Sequence, residues 1–490
     1  MRRSIYTLAL YGVAPLVWLW MGQRARRAGG EWGIFSGARF GRLDDHSPTP
    51  FSRPPVWVHA VSLGETRAAQ PLVQALLQRG LPVLLTHTTA TGRAEGARLF
   101  PEAIACGQLR QTWLPYDFPG AVRGFLTRYR PRCGLLIERE VWPNLLAQAR
   151  GQGVRMALIS ARFSASSLRQ AGRLGRVMRE ALAGLDAVLA QTAEDAQRLT
   201  LAGASKVSVT GNLKFDLTLP ETQVQAGQAW RRAAGRPIVA IASTREGEDA
   251  LFVQAIQALR NTAATAGSST AASGVTDAER AAREDGRNWA GDADTRWADA
   301  CASSVLYVLI PRHPQRFEEV AGLLKTAGLT YMRRSRLQSC VQADASAAPS
   351  SLPQPAQTRL RNMSLTGLDV DVMLGDTLGE MAFYYAASDV AIVAGSFMPL
   401  GGQNLIEACA AGVPVIVGPH TFNFKQAAAD AIDAGAAERA TNAVAALSAA
   451  LALLNDEGRR ANMSRAARQW SEGHAGATQR TLQALADWFQ

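Results

Sequence analysis

The sequence predicts an α/β protein built from two parallel-sheet domains. Short apolar runs alternate with amphipathic stretches from Val56 onward, and the alternation pauses near residue 220 and restarts at Arg236. Buried parallel strands read as continuous apolar runs, and the crossovers between them as amphipathic helices. At 490 residues the chain has room for two domains of ordinary size and is too long for one core.

The first element is the uncharged run Ile5 to Met21, preceded by Arg2 and Arg3 and followed by Arg24, Arg26 and Arg27. It stands at the short limit for a spanning helix, which needs ~20 apolar residues. Basic residues on both flanks set no orientation. They suit a helix lying in, or dipping into, an anionic cytoplasmic leaflet, so residues 1–28 are read as a membrane anchor. A cleaved signal is disfavoured, because no small-x-small site follows the run. A buried hydrophobic helix is the other alternative.

The first domain, 29–220, then reads as strands at 56–61, 81–89, 133–140, 154–160, 185–192 and 206–216. A helical segment, Glu221 to Gly235, leads into the second domain, 236–470. Its strands are read at 236–243, 305–313, 329–332, 370–377, 389–395 and 413–419, and a helix closes the chain at 471–490. Residues 261–303 and 341–360 lack hydrophobic periodicity and read as mobile surface insertions.

Composition narrows the function. Hydrophobic residues at 47% and charged residues at 19% exclude pervasive disorder and a polytopic membrane protein. Lys and Arg total 52 against 41 acidic residues, a net +11 that calls for an anionic partner: nucleic acid, an acidic membrane face or a phosphorylated substrate. The five cysteines form no CxxC pair and read as buried small hydrophobes in a reducing compartment. The six histidines form no HExxH or HxH, so no metal site is expected.

Candidate chemistry lies at strand ends, where ligands of parallel sheets bind. In HAVSLGET (59–66), Gly64 permits close approach to backbone amides, and Glu65 is either a general base at a cleft mouth or a first-turn carboxylate favoured by the helix dipole. In LIEREVWPN (136–144), Glu138 and Glu140 share a face if the strand reaches that far; the alternative is that Trp142-Pro143 simply ends the strand. Lys214 in TGNLKFD could hold a phosphate or acidic sugar, or could be merely solvated. In the second half, ASTREGED (242–249), IPRHPQRF (310–317), GDTLGEM (375–381) and the Gly-rich stretch 395–424 all fall at strand-to-helix turns. Helix-start amides with Arg312 suit a nucleotide phosphate, and Glu407 could accept two ribose hydroxyls. No G-x-x-x-x-G-K-[ST] loop is present, which disfavours a Walker-type ATPase.

With these motifs the chain resembles the 3-deoxy-D-manno-octulosonic acid (Kdo) transferases of lipopolysaccharide assembly. The resemblance is carried by HAVSLGET, LPYDFPGAVRGFL, EREVWPNL, ARFSASS, GNLKFD, STREGE, PRHPQRF, GDTLGE, GGQNLIEA and GPHTFNFK, in order, from the N-terminal helix to about Lys425. It implies a GT-B glycosyltransferase fold, two Rossmann-like domains facing each other across a cleft. It implies that the first half receives the lipid A precursor while the second holds CMP-Kdo. Glu65 is then the general base, and Glu138 and Lys214 stabilise the transition state. Ser62, Gly64 and Glu140 become acceptor-side candidates. The implied CMP contacts are Pro311, Arg312, His313, Leu378, Gly379, Glu380, Asn404, Leu405, Ile406 and Glu407. No cofactor or metal is expected, and the anionic inner-membrane leaflet, at its cytoplasmic face, replaces nucleic acid as the partner of the basic surface.

Three positions depart from the family pattern. Gln403 stands where a histidine is usual, Leu378 where a methionine is, and Arg139 where a small polar residue is. The first two could alter donor detail, for instance toward a hydroxylated Kdo variant. Other readings are a transferase using a nucleotide-diphosphate sugar, a sugar-nucleotide epimerase, a nucleic-acid-binding protein and a non-catalytic membrane scaffold.

Overall fold

The computed structural model describes residues 1–28, 31–42, 51–270, 305–337 and 370–490. The chain forms two compact units, one of Met1–Thr218 with His474–Gln490 and one of Leu219–Gly473.

The first unit holds seven parallel strands: β1 (Val56–His59), β2 (Val83–His87), β3 (Leu109–Trp113), β4 (Cys133–Ile137), β5 (Arg155–Ala161), β6 (Ala187–Ala190) and β7 (Val207–Val209). Their order is β3-β2-β1-β4-β5-β6-β7. Strand β1 pairs with β2 on one side and β4 on the other, with Val56 opposite both Val83 and Cys133. The direction of winding reverses between β1 and β4, and a crevice at their carboxyl ends is where such a sheet places its ligand. All four β1 residues are fully buried. Val56 and Val58 pack on one face with Leu72, Val73 and Leu76 of helix α2 (Leu63–Gln78), and Trp57 packs on the other with Phe125 and Leu136. Both faces being covered explains why the strand reads as an unbroken apolar run.

The second unit repeats the plan with β8 (Ile238–Thr244), β9 (Leu306–Pro311), β10 (Tyr331–Arg333), β11 (Val372–Leu374), β12 (Val390–Val393), β13 (Val415–Val417) and β14 (Ala437–Arg439), in the order β10-β11-β9-β8-β12-β13-β14. Its winding reverses between β8 and β12. The helix Glu221–Ala234 ends where expected, on Gly235 at φ +65°, a left-handed closing position that glycine takes without strain.

Helix α1 (Arg3–Ala28) lies against the first unit. Ala14 and Met21 are buried, Tyr11 stacks on Phe118 with ring centroids 4.5 Å apart, and Trp18 meets the edge of Phe40. The opposite face leaves Ile5, Leu8, Leu16, Leu19 and Trp20 exposed, Leu8 at 73%. A buried hydrophobic helix is thereby excluded. After the second unit the chain returns to the first: Ala477, Leu482, Leu485 and Trp488 join the core that holds Val56 and Leu72. Arg132 donates to the carbonyls of Phe489 and Gln490, at 2.7 and 3.1 Å.

Several expectations need correction. Strands β3 and β14 were not foreseen; both are sheet edges, with sequences LRQTW and AER. Strand β4 stops at Ile137, so Glu138 and Glu140 do not share a strand face. Glu138 instead adopts φ +61°. Cys133 and Cys409 are buried, but Cys106 is exposed, and Cys301 and Cys340 lie outside the described residues. Of the two expected insertions, residues 261–270 continue the helix Glu248–Thr270. The remainder of 261–303, and all of 341–360, lie outside the described residues.

Candidate active site

In the first unit the candidate residues converge at the carboxyl ends of β1 and β4. After β1 the chain turns through Ala60 and Val61 and starts α2, so Glu65 lies in that helix's first turn. Ser62 precedes the helix with extended backbone, and its carbonyl accepts from the Thr66 amide and hydroxyl, both at 2.9 Å. The Glu65 carboxylate reaches back to accept from the Val61 amide at 2.7 Å, which fixes its direction. A Cβ added at Gly64 would meet nothing within 4 Å, so the space before the helix start is open.

Glu138 follows β4 directly. Its amide donates to Ile159 O and its carbonyl accepts from the Arg162 amide, at 3.0 and 3.1 Å, so the residue is pinned to the neighbouring strand on both sides. Its Oε1 lies 2.6 Å from Lys214 Nζ. Lys214 is held by a short 3-10 turn, Leu213–Asp216, whose preceding Asn212 accepts the Lys214 amide at 3.0 Å. Glu140 Oε2 accepts from Trp142 Nε1 at 2.8 Å and stands 3.7 Å from the buried His59 Nε2.

The electrostatics divide these carboxylates. Burial raises the Glu65 pKa to about 8, with the Glu138 charge adding to it and the Val61 amide opposing it. Burial acts upward on Glu138 too, but Lys214, with Arg162 and Arg139, outweighs it and holds the group below its ordinary range. Glu65 thus holds its proton to higher pH than its neighbour Glu138, the separation that acid–base chemistry needs.

Residues beyond the expected set support this site. His59 turns its Nδ1 to Thr86 Oγ1, at 2.9 Å, behind Glu140. Ser160, at φ +46°, accepts from the Leu213 amide and from Gln191. Nothing in the sequence marks Ser160, because its role comes from strand pairing. Asn212, by contrast, sits where an N-cap asparagine could have been read.

In the second unit the candidate residues follow β9, β11 and β12, the strands on either side of β8. Pro311 ends β9, and the Arg312 amide donates to Thr244 O at 2.9 Å, joining the tips of β8 and β9. Arg312 is exposed and His313 half-buried. Burial, with Arg245 and Arg312 nearby, holds the His313 pKa down. Leu378 is 71% exposed, and Gly379 turns the chain at φ +80°. Glu380 pairs with Arg334 at 3.3 Å. Asn404 spans the next turn, donating to Glu407 Oε1 at 3.0 Å and accepting from the Ile406 amide at 3.2 Å. The Leu405 and Ile406 side chains are buried, so only their backbone can face a ligand.

The turn after β8 supplies its own carboxylate to the neighbouring loop. The fully buried Glu248 takes the amides of Gly395, Phe397 and Arg245 at 2.6, 2.8 and 2.9 Å, and that of Met398 at 3.3 Å. Its carboxylate locks the Gly-rich loop after β12 to the start of the helix Glu248–Thr270. Among the described residues, no group of three or more His, Cys, Asp or Glu is placed to hold a metal ion.

Two parallel α/β units with their polar clusters at the strand tips define the two-domain, GT-B-like class of fold. The fold is also similar to that of a UDP-N-acetylglucosamine 2-epimerase structure from Listeria monocytogenes, with a TM-score of 0.50 and 15% identity over 90% of this chain and 97% of that one. The fold alone therefore leaves the chemistry open, and the sequence decides it. Residues 36–217 match the family model for 3-deoxy-D-manno-octulosonic-acid transferase (kdotransferase), and 356–470 match that for glycosyl transferases group 1. A 3-deoxy-D-manno-octulosonic acid transferase from Bordetella pertussis is 62% identical over 489 residues, all of both chains. One from Haemophilus influenzae is 27% identical over 100% of this chain and 99% of its own. The chain belongs to the Kdo transferase family and is a glycosyltransferase of lipopolysaccharide biosynthesis.

Proposed function

We propose that the chain transfers Kdo from CMP-Kdo to the 6-hydroxyl of the lipid A precursor, lipid IVA, with inversion and with Glu65 as general base. The observation that carries this is the half-buried Glu65 carboxyl, in the field of the Glu138–Lys214 pair, at the reversal point of the first sheet. A base whose pKa lies near the operating pH combines availability with driving force.

Ionised Glu65 takes the acceptor hydroxyl proton as that oxygen bonds to the anomeric carbon of Kdo. The bond from that carbon to the phosphate oxygen breaks, and CMP leaves with the electron pair. Ser62, Gly64 and Glu140 orient the acceptor. Lys214, fixed by Glu138, and Arg312 face negative charge that grows on the donor, where preorganised cations act most strongly. Pro311, Arg312, His313, the turn Leu378-Gly379-Glu380 and the turn Asn404 to Glu407 hold CMP, with Glu407 on the ribose hydroxyls. The leaving group is a monophosphate, so turnover is proposed to need no metal; activity abolished by EDTA and restored by magnesium would refute that.

The acceptor carries acyl chains. The exposed apolar face of α1, with Arg2 and Arg3 at one end and Arg24 and Arg26 at the other, supports attachment to the anionic cytoplasmic face of the inner membrane. The net positive charge then requires no nucleic acid. Mass spectrometry of lipid IVA incubated with the protein and CMP-Kdo in detergent tests the reading. A gain of one or more Kdo units is expected, and an unchanged precursor with folded, CMP-binding protein overturns the assigned donor or acceptor.

A further inference from the structure

The loop carrying Glu138, Glu140 and Trp142 is anchored at both ends, by different means. At its start, Glu138 is bonded to Ile159 and Arg162 and ion-paired with Lys214. At its end, the helix Pro143–Gly151 begins, and its first free amides need acceptors. Asp117 supplies them: Oδ1 accepts from the Leu145 amide at 2.7 Å and Oδ2 from the Asn144 amide at 3.1 Å. The Asp117 carbonyl also takes Asn144 Nδ2 at 2.8 Å. Asp117 and Asn144 are 6% and 1% exposed.

Two further side-chain hydrogen bonds to this pair come from α1. Tyr6 donates its hydroxyl to Asp117 Oδ2 at 2.9 Å, and the Thr7 hydroxyl lies 3.0 Å from Asn144 Oδ1. A carboxylate that accepts two backbone amides and a phenol is fixed in rotation, so the helix start it caps is fixed with it. Glu140 lies four residues before Asn144, and Val141 makes a tight turn onto Arg139 O at 2.9 Å, leaving little slack between them.

We infer that Tyr6 of the membrane helix and Asp117 beneath it are positioning residues for Glu140, so that α1 is a brace of the active-site loop as well as the contact with lipid. The inference rests on the site reading above, in which Glu140 orients the acceptor. Glu138 has its own anchors on the sheet, and Glu140 is the carboxylate that the brace governs. Misplacement of an orienting group by about 1 Å can cost up to ~10²-fold in rate, and loss of one hydroxyl from a multiply held carboxylate should cost a part of that, about tenfold.

The test is a kinetic cycle on the full-length protein in detergent, with Tyr6→Phe, Glu140→Gln and the double variant, at saturating acceptor and donor. The expected result is that Tyr6→Phe, assayed well below its own melting temperature, lowers kcat about tenfold with KM for CMP-Kdo unchanged, and costs nothing further when Glu140 is already Gln. Asp117→Asn, which keeps one acceptor and loses the other, should behave as Tyr6→Phe or worse, with the same lack of additivity. A wild-type kcat in Tyr6→Phe, or the same tenfold loss in the Glu140→Gln background, overturns the brace while leaving the site reading intact. Wild-type turnover in Glu140→Gln overturns the acceptor role of Glu140 and the brace together.

Discussion

Lys214 places its ammonium 2.6 Å from Glu138 Oε1, and Glu138 meets it from a left-handed backbone at φ +61°. Removing the ammonium strands a buried carboxylate. Lys214→Met is expected to cost about 3–5 kcal/mol of stability in urea unfolding. Lys214→Met with Glu138→Gln should recover much of that loss while remaining inactive. A single Lys214→Met variant as stable as wild type would show that the pair contributes nothing to the fold.

Glu65 gives the reaction and the fold opposite responses to pH. Its carboxyl ionises as the pH passes about 8, so kcat/KM should rise through that value. Its folded pKa exceeds the ordinary 4.5, so the folded state binds more protons than the unfolded state between pH 4.5 and 8. Glu65 therefore makes stability fall as pH rises across that window, with no further change above it. Glu65→Gln should flatten this component of the stability profile and lower the rate at least ~10²-fold while CMP binding persists. A rate profile that is level between pH 6 and 9 would remove Glu65 from the base role.

The apolar face of α1 can be changed without touching the fold. Leu8→Glu with Leu16→Glu alters only exposed positions, so the melting temperature should hold. Co-sedimentation with vesicles containing anionic lipid should drop at least about tenfold, because two carboxylates enter the interface and two apolar anchors leave it. Undiminished vesicle binding would place the membrane contact elsewhere.

Glu248→Gln keeps the size of the side chain and removes the charge that four amides converge on. The expected loss is about 1.5–3 kcal/mol, since hydrogen bonds to a charged group carry that much. Weaker CMP binding by calorimetry should accompany it, because the loop Glu248 locks leads into Asn404 and Glu407. Unchanged affinity together with lowered stability would confine Glu248 to the fold.

How far the sequence carried the fold depended on burial. Central strands such as VWVH and VAIV are covered on both faces and announce themselves as apolar runs. The two missed strands are edges: LRQTW keeps polar residues where one face is open, and AER is three residues long. The motifs led to Glu65, Glu138, Glu140 and Lys214 because each follows a strand. They gave no access to the backbone that orients them. The left-handed turn at Glu138 falls on an acidic residue rather than a glycine, and no local pattern announces it. Glu248 illustrates the converse: nothing in its motif shows that its carboxylate takes the amides of Gly395, Phe397 and Met398, about 150 residues further on.

The return of residues 474–490 to the first unit has a consequence for biosynthesis. The hydrophobic layer around Val56 and Leu72 is closed by Ala477, Leu482, Leu485 and Trp488, so the unit synthesised first is the last to be sealed. While the ribosome translates the intervening 255 residues, Leu219–Gly473, the nascent first unit lacks the side chains of Ala477, Leu482, Leu485 and Trp488 over this layer. Helix α1, already emerged, can reach the bilayer throughout that interval. A chain lacking its last turn would have an incomplete core in its first unit, a state suited to capture by chaperones or proteases rather than to catalysis.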